Sequence, residues 1–394
     1  MHIIRCISCL ALFWLMETIN AQEPHFSGEL IFPFHPQHNH APGIVELPDG
    51  QLLVSWYRGS GERRADDVAV WGARRRPGEK HWGEAFMMVD TPGFPDGNTC
   101  MLVDSQGKLF LFWPLVLANT WESCVTQMLV AQDATGKGCP QWTRRDSLWL
   151  KPNDFGDAGR AMLDQHIAKL SDPLSERLQQ AVVRVRDRLG DKLYQRLGWQ
   201  PRCKPTILPS GRMVLPLYSD TYSFSLMAVS DDGGMTWRAG EPMMGFGNIQ
   251  PSVLRRDNGT LVAYMRENGS LEKVRVSESQ DDGMTWGPVG TIEMPNPGSG
   301  LDAVRLRNGH WLLIHNDTVT GRNRLAASLS TDEGRTWKVT RHLEDHASGS
   351  YHYPAVIQGK DDRIHVAYSY FNDSGKSMKH AEFDEDWLLQ ARPR

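Results

Sequence analysis

From about residue 40 onward the chain alternates short apolar runs with turns, and most of the turns carry a glycine. An apolar run leads into a turn at Gly50, Gly107, Gly211, Gly259 or Gly309, with Asp362 in the equivalent place near the end, and a second run follows each one. The second runs read Leu52-Leu53-Val54-Ser55-Trp56, Leu109-Phe110-Leu111-Phe112-Trp113, Met213-Val214-Leu215-Pro216-Leu217-Tyr218, Leu261-Val262-Ala263-Tyr264, Trp311-Leu312-Leu313-Ile314 and Ile364-His365-Val366-Ala367-Tyr368. Brief runs of β-branched and aromatic residues bounded by turn formers are strand signals, so this pattern predicts six antiparallel hairpins.

A longer period is laid over the hairpins. Ser230 to Trp237, Ser279 to Trp286 and Ser330 to Trp337 share the pattern Ser-x-Asp-x-Gly-x-Thr-Trp, with tryptophans 49 and 51 residues apart. Repeats of that length mark propeller-type arrays. In such a box the aspartate accepts backbone N–H groups, the glycine takes a positive φ and the tryptophan packs between neighbouring sheets. Their role is structural, and chemistry is not expected there. Degenerate boxes ending at Trp82 and Trp142 complete the first two units. The sixth lacks a box, and Glu29-Leu30-Ile31-Phe32 is expected to supply its outer strand and close the ring. The expected fold is all-β, a six-bladed β-propeller.

One stretch breaks the rhythm. Leu163, Ile167, Leu170, Leu174, Leu178, Val182, Val185, Leu189, Leu193 and Leu197 recur at steps of three and four, which predicts a helical insertion over about 155–198, between blades two and three. Asp172 before Pro173 reads as the cap of a second helix.

Composition narrows the function classes. With 40% hydrophobic and 23% charged residues the 394-residue chain is ordinary globular material, and a net charge of −4 supplies no positive field for nucleic acid. Met1–Arg5, the apolar Cys6–Met16 and Thr18-Ile19-Asn20-Ala21 follow the layout of a secretory signal peptide, so 1–21 is expected to be removed and 22–394 to act as a secreted or periplasmic protein. No later stretch is apolar enough for a membrane span. Cys100, Cys124, Cys139 and Cys203 then remain and allow three pairings. Oligomeric state is left open.

Counting back from each hairpin turn to the start of the inner strand gives one polar residue per blade: His40, Asn98, Lys204, Gln250, Asp302 and Tyr353. The far ends of the paired strands add Arg58, Asp220, Arg266, Asn316, Asp317 and Tyr370. Polar groups gathered at one mouth above apolar strands are what a ligand pocket needs. His35, His38 and His40 are spaced for metal ligation, but loop histidines with no second ligand cluster read as polar contacts. No metal and no cofactor is expected.

The three boxes resemble the Asp-boxes, or BNR repeats, of the sialidase superfamily. Further segments, namely His40-Ala41-Pro42, Gly247 to Ser252, Pro295 to Asp302 and Tyr351 to Gln358, are similar to its predicted neuraminidase-like branch. The resemblance covers about 26–388 apart from the insertion. It implies a tyrosine nucleophile at Tyr353, an acid/base at Asp66 or Asp67 in the loop after the first hairpin, and one clamp arginine at Arg266. The sequence also departs from the pattern. His40 stands where the first clamp arginine is expected, Gln250 where the glutamate beside the tyrosine is expected, and Tyr368-Ser369 lacks the closing Tyr-Glu pair.

The expected activity is that of an exo-acting glycoside hydrolase removing a terminal, acidic sugar from a glycan. Asp67 is assigned as acid/base, Tyr353 as nucleophile or transition-state stabiliser and Asp302 as second carboxylate. Arg58, Lys204 and Arg266 would orient the substrate, with His40, Asn98 and Gln250 reading its hydroxyls and His352 as a further binding residue, either a neutral hydrogen bonder or an acid/base. Two alternatives are a polysaccharide lyase using His40 or His352 with Tyr353, and a non-catalytic carbohydrate-binding propeller.

Overall fold

The computed structural model describes residues 23–169 and 173–390. Its strands form six sheets arranged as a six-bladed β-propeller. Blade one runs through His38–Glu46, Leu52–Gly59, Ala69–Arg75 and Phe86–Val89, blade two through Cys100–Val103, Leu109–Val116, Cys124–Ala131 and Arg144–Ser147. Blade three uses Trp199–Pro201 and Thr206–Ile207 on one side of Met213–Ser219, followed by Phe224–Ser230 and Arg238–Ala239. Blade four comprises Asn248–Arg255, Leu261–Glu267, Lys273–Ser279 and Gly290–Pro295; blade five, Asp302–Arg305, Trp311–Asn316, Arg324–Ser330 and Val339–Asp345. The six hairpins expected from the apolar pattern are the first two strands of each blade.

Blade six contributes Ser350–Gln358, Ile364–Asn372 and Gly375–Phe383, and Phe26–Leu30 supplies its outermost strand, pairing Phe26 with Phe383 and Leu30 with Lys379. The closing strand therefore sits a few residues earlier than Glu29–Phe32. His25 and Asp384 lock the seam: each backbone amide finds a partner on the other residue.

The three boxes do what their composition dictates. Asp232 accepts from the Thr236 amide (2.9 Å), the Thr236 hydroxyl (2.6 Å) and the Ser230 hydroxyl (2.8 Å), and Asp281 and Asp332 repeat the arrangement. Trp237 lies edge-on to Phe112 of the preceding blade, and Trp337 to Tyr264. Gly334 shows why the box needs glycine: its φ is +79°, and a Cβ there would stand 2.0 Å from the Tyr264 hydroxyl.

The insertion is helical, as Gly156–Ala168, Glu176–Leu189 and the short Lys192–Arg196. Its second helix begins at Glu176, with Ser175 as the cap that accepts from the Leu178 amide, and not at Pro173. Asp172 lies outside the described residues, as does the expected signal segment 1–21. Phe155, Leu163 and Leu189 pack on Trp199, Tyr222 and Phe224, so the helices rest on the end of blade three where Ser219 turns into Phe224. Cys100, Cys124, Cys139 and Cys203 are all unpaired thiols. No helix among the described residues is long and apolar enough to cross a membrane.

Candidate functional site

Three of the six inner strands carry the same irregularity at the central mouth. Pairing slips by one residue between His40 and Gly43, between Ile249 and Ser252, and between His352 and Ala355. In each bulge a non-glycine residue takes a left-handed φ immediately before a proline: Ala41 (+52°), Gln250 (+56°) and Tyr353 (+55°). Proline is tolerated because the inner strand is the edge of its blade. The residue before a proline normally stays extended, so this backbone is held by its surroundings, and bulges re-aim the side chains they carry. Counting along the chain aligns His40 with Gln250 and Tyr353. The bulges instead make Ala41 their counterpart and pair His40 with His352.

The re-aimed side chains enclose a recess of about 170 Å³ lined by His40, Tyr57, Glu62, Asn98, Trp121, Tyr218, Asp220, Gln250, Arg266 and Tyr353. At its floor the Tyr353 hydroxyl oxygen accepts from Arg266 Nη1 (2.8 Å) and Gln250 Nε2 (3.2 Å). Two more guanidinium groups face the Tyr353 ring, Arg202 at 5.0 Å and Arg322 at 5.7 Å from its centroid. Arg202 is almost fully buried; it donates to the Pro354 carbonyl (2.7 Å), and its Nε and Nη1 have no partner. The Gln250 side-chain amide oxygen is likewise buried without a donor. Asn98 donates to the Tyr218 hydroxyl (3.0 Å).

Histidines form the adjoining wall. The His40 ring lies 4.2 Å from Tyr353 and 4.7 Å from His352, and His40 Nδ1 shares a hydrogen bond with the Ser369 hydroxyl (2.8 Å). Burial, reinforced by neighbouring cationic groups, pushes both His40 and His352 well below the usual imidazole value, so both are neutral near pH 7. His38 Nε2 is 3.2 Å from Glu62, which also accepts from the Tyr57 hydroxyl (3.2 Å) and lies 3.7 Å from Arg63.

The two carboxylates of the recess are driven in opposite directions. Hydrogen bonding from His38 is the largest influence on Glu62 and holds it below its ordinary value. Asp220 accepts from Gln200 (2.8 Å), and its free surface faces the recess. Although Asp220 is exposed at the recess, the protein around it raises its carboxyl, against the pull of Arg266 and Arg63. Carboxyl groups set apart in this way are suited to divided acid and base roles.

The structure therefore assembles some of the expected site and disperses the rest. His40, Asn98, Gln250, Arg266 and Tyr353 line the recess, and His352 adjoins it. Asp67 does not line it. Exposed on its loop, it accepts from the Ser60 amide (3.0 Å) and hydroxyl (2.8 Å), while Asp66 accepts from Asn119 (2.7 Å). The same loop delivers Glu62 instead. Asp302 is buried and saturated by Lys204 Nζ (2.7 Å), the Ser252 hydroxyl (2.7 Å) and the Val356 amide (2.9 Å), so Lys204 and Asp302 form a brace between blades. Arg58 donates to Asn39 (2.7 Å) and stacks among Phe32, Trp56 and Trp71. Asn316 caps the Tyr351 carbonyl, Asp317 pairs with His342, and Tyr370 packs on Tyr351. His35 is turned away from His38 and His40 and accepts from the Gln37 amide (3.1 Å).

Sequence reasoning missed Tyr57, Glu62, Trp121, Arg202, Tyr218 and Arg322 as site residues. One available signal was the proline in each of three inner strands, Pro42, Pro251 and Pro354, which marks the bulges.

Comparison with known proteins places this geometry. The profile of a family described as a BNR repeat-like domain matches residues 50–155 and 200–366, and the interval it skips is the helical insertion. A sialidase from Micromonospora viridifaciens is 28% identical over 170 residues, which is 40% of this chain and 25% of that protein. The chain thus spans about a quarter of that relative's length. Among solved structures, a protein of unknown function from Dyadobacter fermentans superposes with a TM-score of 0.65 at 15% identity, covering 91% of this chain and 97% of the other. A leech intramolecular trans-sialidase, solved with 2,7-anhydro-Neu5Ac, superposes with a TM-score of 0.68 at 13% identity, covering 92% and 71%. Identities this low carry the fold.

Proposed function

The chain belongs to the BNR repeat-like domain family of the sialidase superfamily, and from that premise we propose that it is an exo-acting glycoside hydrolase releasing a terminal acidic sugar. The observation that carries this reading is the recess itself. A tyrosine hydroxyl held by an arginine and a glutamine shares a single-ring-sized space with two carboxylates of opposite tuning. Its volume is below the roughly 300–1,000 Å³ of pockets for larger ligands, which suits one terminal sugar.

In this reading Asp220, kept protonated further up the pH scale than an ordinary aspartate, is the acid that protonates the leaving oxygen. Tyr353 attacks or stabilises the anomeric centre, with Arg266 donating a charge-assisted hydrogen bond to negative charge developing on its oxygen. Glu62 stays ionised and takes up the proton through Tyr57 or a water. Arg266, Arg322 and the unsatisfied Arg202 supply the positive field that would hold a sugar carboxylate. The expected roles of Asp67 and Asp302 pass to Glu62 and Asp220.

A second reading rests on the two neutral histidines beside Tyr353, either of which is poised to remove a proton as a lyase base. Fluorogenic sialoside, uronide and rhamnoside substrates tested with wild type, Asp220→Asn and Tyr353→Phe separate the two. Hydrolysis of an acidic glycoside that both variants lose supports the proposal. An unsaturated, ultraviolet-absorbing product from a polymeric uronide supports the lyase. Silence with both substrate classes, combined with retained sugar binding, leaves a binding propeller. We further propose that the protein acts after export, which fractionation of the producing cells tests.

A further inference from the structure

A second cluster of ligating side chains lies at the ring-closing seam, on the two middle strands of blade six. His365 comes from Ile364–Asn372, and His380 and Glu382 from Gly375–Phe383. His365 and His380 are buried, with rings stacked at 5.3 Å and His365 Nδ1 only 3.1 Å from His380 Nε2. The same His365 nitrogen is 3.6 Å from a Glu382 carboxylate oxygen. One ligand atom from each of the three falls within 4.8 Å of the others, and this is the one such group among the described residues. The other Glu382 oxygen is 3.3 Å from His25 Nε2, on the segment leading into the closing strand.

We propose that His365, His380 and Glu382 bind a divalent transition-metal ion of the zinc class, with His25 at the open fourth position, as a structural clasp across the seam. Metal–ligand bonds of 2.0–2.1 Å in a tetrahedron place neighbouring ligand atoms about 3.3 Å apart, and the separations of 3.1 and 3.6 Å bracket that value. Two imidazoles and a carboxylate suit zinc, cobalt or nickel better than calcium or magnesium. Arg75 pairs with Glu382 and lies 3.7 Å from Glu29; it orients the carboxylate as an outer partner, with its own charge balanced. The cluster opens onto a groove of about 900 Å³, lined by acidic and basic side chains in nearly equal number, which gives an ion a way in.

The test is cobalt(II) uptake by the full chain after dialysis against a chelator. The expected result is one equivalent per chain with the intense visible absorption of a four-coordinate ion. Affinity should fall more than about tenfold in His380→Gln and in Glu382→Gln and be unchanged in His40→Asn, which alters the histidine group at the central mouth. Failure of the wild type to take up an equivalent overturns the proposal, and so does uptake that survives both seam variants. Should those variants not fold, X-ray absorption of the zinc-loaded wild type decides. Two imidazoles in the inner shell support the site, and an all-oxygen shell overturns it.

Discussion

Asp232, Asp281 and Asp332 on the outer boxes each accept from a threonine amide, a threonine hydroxyl and a serine hydroxyl, whereas Asp220 and Glu62 at the central recess leave part of their surface turned to open space. The Thr236 hydroxyl is the foremost of the donors that lower Asp232 to about 2. At Asp332 burial opposes the donors, and they prevail, again to about 2. At Asp220 the crowding prevails and the carboxyl rises. One fold thus uses the same side chain twice. A carboxylate whose lone pairs are filled by its own turn is spent on structure, and one that is left under-donated at the recess is kept for chemistry.

Asp220→Asn breaks that comparison most severely. Turnover of the cleaved glycoside should fall about 10²–10⁴-fold, the usual worth of a general acid, with the melting temperature nearly unchanged. The pH profile sharpens it. Glu62 acts ionised, so activity is lost as pH falls through its lowered value; Asp220 acts protonated, so activity is lost as pH rises through its raised value. The optimum should be acidic, and the alkaline limb should vanish from any residual activity of Asp220→Asn.

Tyr353→Phe should cost about 10²-fold in kcat, comparable to losing one transition-state hydrogen-bonding partner, with substrate binding measured by calorimetry largely kept. At the rim the readouts exchange places. Asp332→Ala should lower unfolding stability by about 1–2 kcal/mol in denaturant titration while leaving kcat/KM intact. Box aspartates with lowered values stabilise the fold fully above about pH 4, and that contribution drains away as pH falls towards 2. The smallest effect belongs to Asp67→Asn. The residue caps its own loop at Ser60, so turnover should change by no more than about threefold, in keeping with an exposed surface position.

The frame was legible in the sequence because its determinants are local. A turn glycine, a run of apolar residues and a tryptophan at a fixed period each act within a few positions, and together they specify blade number, closure and the place of the helices. The recess was legible in part. His40, Asn98, Gln250, Arg266 and Tyr353 stand where strand counting puts them, but counting assumes a regular pleat and three inner strands are bulged. The extra residue makes Ala41, and not His40, the positional counterpart of Tyr353. Lys204 and Asp302 looked available because their ion pair joins residues 98 apart, a contact no local pattern announces. Glu62 and Asp67 stand five positions apart in one loop, and only the loop's conformation decides which of them enters the site.

Closure of the ring by Phe26–Leu30 also has a meaning in time. The seam joins His25 to Asp384, 359 residues further along the chain. At roughly 5–20 residues per second, a ribosome needs on the order of 20–80 s to supply that partner. Throughout that interval Phe26–Leu30 must persist as a strand without its partner, exposed to neighbouring nascent chains. Completion of the last blade is then the event that turns a string of half-supported sheets into a cooperative whole.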